Sequence, residues 1–204
     1  SCLTALWAAP VLAGLAALAA GKRARPLALA ETGAVLAYSL WLAGPLSASG
    51  GELAGASLWS FGVSYSLFLD GLALPLCWLT AFLSLVCVVA SWERDVPAGY
   101  WAAFLVLEGA LMGVFLVRDL FFFYVFWESV LIPMFFIIGL WGSEQRRHAA
   151  MKFFLFTFFG GVFLLLGSLA LVTSHHAATG VWTWDMGILR APHSGLAAAL
   201  TYGC

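Results

Sequence analysis

Six long apolar runs, each about the length of a membrane crossing, constrain this chain more than any other feature. A helix of about 20 mostly apolar residues spans the hydrocarbon core of a bilayer. The charged fraction is only 9% and the hydrophobic fraction is 63%, whereas soluble domains contain about 25% charged residues. We therefore predict an all-α polytopic membrane protein. The runs cover, to within a few residues, positions 3–20, 27–47, 71–92, 99–117, 120–141 and 151–173.

Both ends of the chain indicate a piece of a longer protein. The sequence has no initiator Met, and another apolar run begins near Gly195 and stops at Cys204. We therefore expect six complete transmembrane helices plus the start of a seventh. The basic residues Lys22, Arg23 and Arg25 follow the first apolar run. Because a secretory signal carries its positive charge before the apolar core, we interpret the first run as a span.

The basic residues predict the orientation of the spans. Only Arg118 and Arg190 lie in connections on one side. The other side has the connections after the first, third and fifth spans, and cytoplasmic connections are enriched in Lys and Arg. We therefore place the N-terminus outside, which is the periplasm for a bacterial inner membrane. The basic residues in or next to the connections after the first, third and fifth spans are Lys22, Arg23, Arg25, Arg94, Arg146, Arg147 and Lys152.

Short polar segments separate the spans. From Leu58 to Asp70, apolar residues alternate with Ser and Gly, a period of two that predicts a strand. We expect this strand to form one half of a small hairpin on the outer face. Asp70 is a candidate N-cap for the third span. Arg118–Asp119 predicts a tight turn, and we interpret Gly50–Gly51 and His175–Gly180 as loops.

Two carboxylates interrupt the apolar spans. An acid at the bilayer centre costs about 2.5–3.5 kcal/mol on insertion scales, so Glu128 is a functional candidate by default. Glu108 lies ten residues before Arg118, and Glu128 lies nine after Asp119. Two antiparallel helices that meet at that turn would hold both acids about 14–15 Å from one surface. Because desolvation disfavours the charged form, such acids are suited to holding and releasing protons.

The surroundings of Glu128 leave alternatives open. Tyr124 shares its helix face and is a candidate hydroxyl donor, whereas Asp119 is half a turn out of phase and is interpreted as a helix-start or surface acid. Pro133 is expected to kink the helix beyond Glu128. Alternatively, Glu128 and Glu108 only bond a neighbouring helix. Glu31 fits an interfacial position, and Lys152 could snorkel to the surface.

The combination of several motifs resembles one family. The segments are SYSLFLDGLALPLCWLTAFLSLVCVVASW, FLVLEGALMGVF, RDLFFFYVFWESVLIPMFFIIGLWG and RRHAAMKFFLFTFFGG. They resemble chain M of NADH-quinone oxidoreductase, an antiporter-like subunit of respiratory complex I. The resemblance is strong from Phe61 to Val172 and weak over the first 50 or so residues.

This resemblance implies a 14-helix bundle with two inverted five-helix repeats, of which the chain is an N-terminal fragment. Residues 1–57 would form two transmembrane helices and an outer loop, and residues 58–204 the start of a truncated proton-channel domain. Glu128 matches the family's proton-channel glutamate, whose lysine partner on a broken seventh helix would lie beyond Cys204. Lys152 matches a family lysine. Arg118 and Tyr124 replace residues that are apolar in many members.

The resulting hypothesis is a proton-translocating subunit of complex I that uses Glu128, Lys152, Glu108 and Tyr124. The chain shows no cofactor or metal motif and no redox site, so NAD, FMN, iron–sulfur clusters and quinone are expected in partner subunits. Other membrane subunits, lipid and protons are the expected partners. The near-neutral charge argues against nucleic acid. Alternatives are a subunit of a multisubunit Na⁺/H⁺ antiporter or membrane-bound hydrogenase, and a non-transporting membrane scaffold.

Overall fold

A computed structural model describes residues 2–58 and 64–189. Six helices in these ranges are long and apolar enough to cross a membrane, which confirms the six predicted spans. The residues near Gly195 and those at 59–63 lie outside the described part. The helices are α1 (Cys2–Ala20), α2 (Ala24–Trp41), α3 (Ala43–Ala48), α4 (Ala73–Ala90), α5 (Ala98–Leu116), α6 (Leu120–Trp141), α7 (Arg146–Thr179) and α8 (Met186–Leu189); α3 extends the second crossing.

The sixth span differs from the prediction at both ends. Helix α7 begins at Arg146 and continues to Thr179, so the interpretation of His175–Gly180 as a loop is wrong for all but its last residue. The polar residues at 173–176 remain helical because Ser, Thr and His can continue a helix that is already formed. Gly180 ends the helix with φ +75°, the left-handed conformation that glycine adopts readily.

Helix α5 is the centre of the bundle and packs most extensively against α1. A Cβ at Gly109 would lie 2.6 Å from the carbonyl oxygen of Trp7, and one at Gly14 would lie 2.9 Å from that of Ala102. Only glycine permits such close approach of two backbones, as in other membrane helix pairs. Helix α2 packs against α4, and α6 packs against both α5 and α7.

A hairpin of two antiparallel strands packs on the end of the bundle where α5 meets α6. Strands β1 (Glu52–Leu58) and β2 (Ser64–Asp70) pair with Glu52 opposite Asp70. The prediction of a hairpin is confirmed, but Leu58 belongs to β1 and not to the same strand as Asp70. The Asp70 carboxylate accepts hydrogen bonds from the amides of Leu72 (3.0 Å) and Ala73 (2.6 Å). Asp70 therefore binds amides at the start of α4, although the N-cap residue is Leu72 and not Asp70 as predicted.

The predicted turn between α5 and α6 is confirmed, and it is held from both sides. Arg118 donates its backbone N–H to Ser66 of β2, and its carbonyl accepts from Met186 of α8. The Arg118 side chain also forms an ion pair with Asp185 at 3.3 Å. Nearby, Tyr65 accepts a hydrogen bond from Trp7 Nε1 at 2.7 Å, and burial raises the pKa of its hydroxyl. These contacts fix the start of α6.

Candidate functional site

Glu128 lies on the face of α6 that packs against α7. The two helices are antiparallel and keep one register over several turns. Gly139 faces Ala150, and the rings of Phe135 and Phe154 lie 5.6 Å apart. In the same register, Glu128 faces Gly161. The intramembrane acid is therefore directed at a neighbouring helix.

Gly161 gives the Glu128 carboxyl group its space. A Cβ at this position would overlap Glu128 Oε1, so a larger residue and the observed carboxyl position cannot coexist. Oε1 is buried and has no hydrogen-bond partner among the described residues. An unpaired buried polar atom costs about 1–3 kcal/mol. A proton, a water molecule or a cation bound at Oε1 would remove this cost.

Tyr124 and Glu128 share a face of α6, as predicted, and the two groups interact electrostatically. The tyrosine does not donate its hydroxyl to the buried Oε1. The predicted hydroxyl-donor role of Tyr124 thus stays a prediction.

Lys152 is exposed on α7, and no ion pair joins it to Glu128 in the described part of the chain. It precedes Gly161 by nine residues, which places it on the opposite side of the helix at 100° per residue. The axial separation is about 13–14 Å at 1.5 Å per residue. Any effect of Lys152 on Glu128 would act across this distance.

Asp119 and Pro133 bracket the acid along α6. Asp119 is fully buried and accepts hydrogen bonds from the amides of Phe121 (2.9 Å) and Phe122 (3.3 Å). Its interpretation as a helix-start residue is confirmed, and the surface alternative is wrong. Pro133 lies inside α6, which continues through it to Trp141. It faces an apolar groove between α1, α5 and α6 of about 330 Å³.

Glu108 is almost at the depth of Glu128 but has other neighbours. Gly113 packs on the Phe126 ring, and Gly99 on Trp141. This register between α5 and α6 puts the two acids within about one helical turn, or roughly 5 Å, of the same level. Glu108 is 1% exposed. The charged group that acts on it is Glu31 of α2.

Two participants of these sites carry no strong sequence signal. From the sequence alone, Gly161 indicates only close helix packing. Its contact with Glu128 depends on the register of α6 and α7, which the sequence does not show. Glu31 fitted an interfacial position, yet its Oε1 is buried and unpaired in the described structure. A comparison of the predicted depths of the acids on α2 and α5, which run in the same direction, could have identified Glu31.

The comparisons with known proteins identify similar chains. Residues 117–185 match the family described as NADH:quinone oxidoreductase/Mrp antiporter, TM. NADH-quinone oxidoreductase subunit M of Escherichia coli (strain K12) is 39% identical over 80% of this chain and 36% of its own length. The chain therefore spans about a third of that relative.

Two solved structures have the same fold. A chain of respiratory complex I from Thermus thermophilus with bound NADH aligns with a TM-score of 0.76 and 27% identity, over 92% of this chain and 38% of that chain. A chain of the Mrp complex from Dietzia sp. DQ12-45-1b aligns with a TM-score of 0.75 and 25% identity, over 98% and 38%.

Proposed function

We propose that the chain is part of a proton-translocating membrane subunit of NADH-quinone oxidoreductase, because residues 117–185 match the family described as NADH:quinone oxidoreductase/Mrp antiporter, TM. The observation that carries the proposal is the Glu128 carboxyl group, which lies against Gly161 between two spanning helices. Its Oε1 has no hydrogen-bond partner in the described part of the chain. Both residues fall inside the matching segment. The similarity to subunit M of Escherichia coli supports the choice of complex.

In the proposed mechanism, a cation controls the protonation of Glu128. A cation that moves towards the carboxyl group stabilises its ionised form and expels the proton, and withdrawal of the cation favours proton uptake. At an effective dielectric constant of 20, two unit charges 4 Å apart interact by about 4 kcal/mol, and the interaction halves at 8 Å. About 1.4 kcal/mol corresponds to a tenfold change in proton affinity. A displacement of a few ångströms is therefore sufficient to load and unload the site.

The controlling cation is proposed to be a lysine that follows Cys204 in the full-length protein. Lys152 is a second proposed proton-translocation residue, acting from the opposite side of α7. Tyr124 is proposed to supply a hydroxyl to the same path, and Glu108 to hold a further proton. The division into residues 1–57, with two transmembrane helices and an outer loop, and residues 58–204, the start of the proton-channel domain, stays a proposal.

The proposed partners are the other membrane subunits of the complex and the surrounding lipid. Electron transfer from NADH to quinone would take place in partner subunits that hold FMN and iron–sulfur clusters. The proposed location is the bacterial inner membrane, with the N-terminus in the periplasm. Arg25 supports this topology because it donates a 2.8 Å hydrogen bond to the carbonyl of Arg94, which joins two of the basic connections on one side.

The direct test is E128Q in the full-length protein within its assembled complex. Glutamine keeps the size of the side chain but cannot ionise, so NADH-driven proton uptake by membrane vesicles should fall while assembly is retained. E144Q is the matched control because Glu144 is exposed between α6 and α7. Normal assembly together with normal pumping in E128Q would rule out the proposed role and favour a scaffold.

A subunit of a multisubunit Na⁺/H⁺ antiporter is the second candidate. The structural likeness to the Mrp complex covers 98% of the chain, and the matching family includes both types of protein. The subunits that co-purify with the full-length protein distinguish the two. Redox subunits that oxidise NADH support the first candidate, and antiporter subunits without redox activity support the second.

A further inference from the structure

Glu31 and Glu108 lie on α2 and α5, two helices that are in contact. Helices α2 and α5 run in the same direction through the bundle. Ala28 and Leu105 belong to one buried apolar cluster, and Val35 and Met112 to another. Glu31 follows Ala28 by three residues, just as Glu108 follows Leu105. The shared register therefore places Glu31 and Glu108 at one depth, in agreement with their electrostatic interaction.

Three carboxyl oxygens of this pair lack hydrogen-bond partners among the described residues. Glu31 Oε1 and both oxygens of Glu108 are buried without one. The Ser84 hydroxyl of α4 lies close enough to interact with Glu108, but it makes no hydrogen bond of good geometry with either oxygen. Glu108 and Ser84 line a cavity of about 210 Å³ between α4 and α5. Liquid water occupies about 30 Å³ per molecule, so the cavity has room for water beside the unpaired oxygens.

Two ionised carboxylates in this position would repel each other in a low-dielectric medium, and among the described residues no cationic side chain forms an ion pair with either acid. The faces of α1 and α6 that pack on α5 near this level are apolar and contribute Trp7, Val11 and Phe126. On α4, the Cys87 thiol is the remaining titratable group that lines the cavity. A proton is the simplest means of removing the repulsion, because it converts one carboxylate into a hydrogen-bond donor for the other.

We propose that Glu31 and Glu108 form a proton-binding acid pair, separate from Glu128, that holds one proton between α2 and α5. Transfer within the pair, directly or through a water molecule, breaks an O–H bond on one carboxyl group and forms one on the other. The net charge of the pair stays at −1. This site does not depend on the function proposed for Glu128.

Labelling by an apolar carbodiimide tests the pair, because this reagent reacts with protonated carboxyl groups inside membranes. The full-length protein in its complex is labelled at one mildly alkaline pH, and modified peptides are quantified by mass spectrometry. In E31Q the repulsion that favours protonated Glu108 is absent, so labelling of Glu108 should fall at least several-fold. In E108Q, labelling of Glu31 should fall likewise. E31D keeps the charge and should retain most of the labelling at Glu108.

The controls separate this site from Glu128 and from general unfolding. E93Q changes an exposed acid outside the spans and should leave labelling of Glu108 at the wild-type level, as should E128Q. Unchanged labelling of Glu108 in E31Q would contradict the proposed acid pair. A decrease of Glu108 labelling in E128Q as large as that in E31Q would also contradict it. If E31Q fails to assemble, the reciprocal measurement in E108Q decides. Proton pumping is recorded separately, so loss of the role of Glu128 and loss of the acid pair give different results.

Discussion

Replacement of Gly161 by alanine tests whether the close contact between α7 and Glu128 matters. The added Cβ would overlap Glu128 Oε1, so the carboxyl group must rotate away or the helices must separate. Overpacking of this kind costs about 1–3 kcal/mol. Because the contact is made by the end of a flexible side chain, we expect the lower half of that range. About 1.4 kcal/mol corresponds to a tenfold smaller population of the observed carboxyl position.

Gly160 provides a matched control one residue away. A Cβ there would meet no atom of the described residues within 4 Å. Both substitutions add one methyl group to α7 and gain a similar helix propensity, about 1 kcal/mol relative to glycine. The difference between G161A and G160A therefore isolates the contact with Glu128.

The assay is NADH-driven proton uptake in vesicles that contain the full-length protein in its complex, at matched assembly and matched NADH oxidation. We expect G161A to reduce the ratio of protons taken up to NADH oxidised several-fold, and G160A to preserve it. In an E128Q background, G161A should cause no further loss, because the group it displaces is already inactive. Equal ratios in G161A and G160A would refute the reasoning.

Two further predictions concern the stability of the helices that position the acid. D119A should lower the free energy of unfolding by about 0.5–2 kcal/mol through loss of the α6 cap, whereas D119N, which keeps a capping oxygen, should lose less; thermal unfolding of the protein in lipid nanodiscs measures both. G109A should cost about 1–3 kcal/mol in the same measurement because the added methyl group meets the α1 backbone. G33A adds its methyl group where no described atom lies within 4 Å, and a loss in G33A as large as that in G109A would contradict this explanation.

Much of the architecture could be predicted because the bilayer imposes simple rules. Span length follows from hydrocarbon thickness, and the helix starts near Asp70 and Asp119 follow from the need of the first backbone amides for acceptors. Alternation of apolar residues identified β2. The prediction was wrong at His175–Thr179, where polar composition suggested a loop. A helix that leaves the membrane can continue in water, so polarity marks the end of the span and not the end of the helix.

The neighbours of the acids could not be predicted, because they depend on helix rotation and register. A run that is apolar all round gives no periodic signal for which face meets which partner. The spacing from the α5–α6 turn correctly put Glu108 and Glu128 near one depth. It could not show that Glu128 faces Gly161 while Glu108 interacts with Glu31. Those relations are set by the packing of glycines and aromatic rings along α5, α6 and α7.

The separate surroundings of Glu108 and Glu128 restrict how a proton could pass between them. A direct hydrogen bond would require both carboxyl groups in the contact between α5 and α6, yet Phe126 packs against Gly113 there. Glu108 faces the cavity beside α4, and Glu128 faces α7. Exchange between them would therefore need several waters or a rearrangement of both helices. The geometry favours two acid sites at similar depth, each with its own neighbours, over a single relay in which the acids touch.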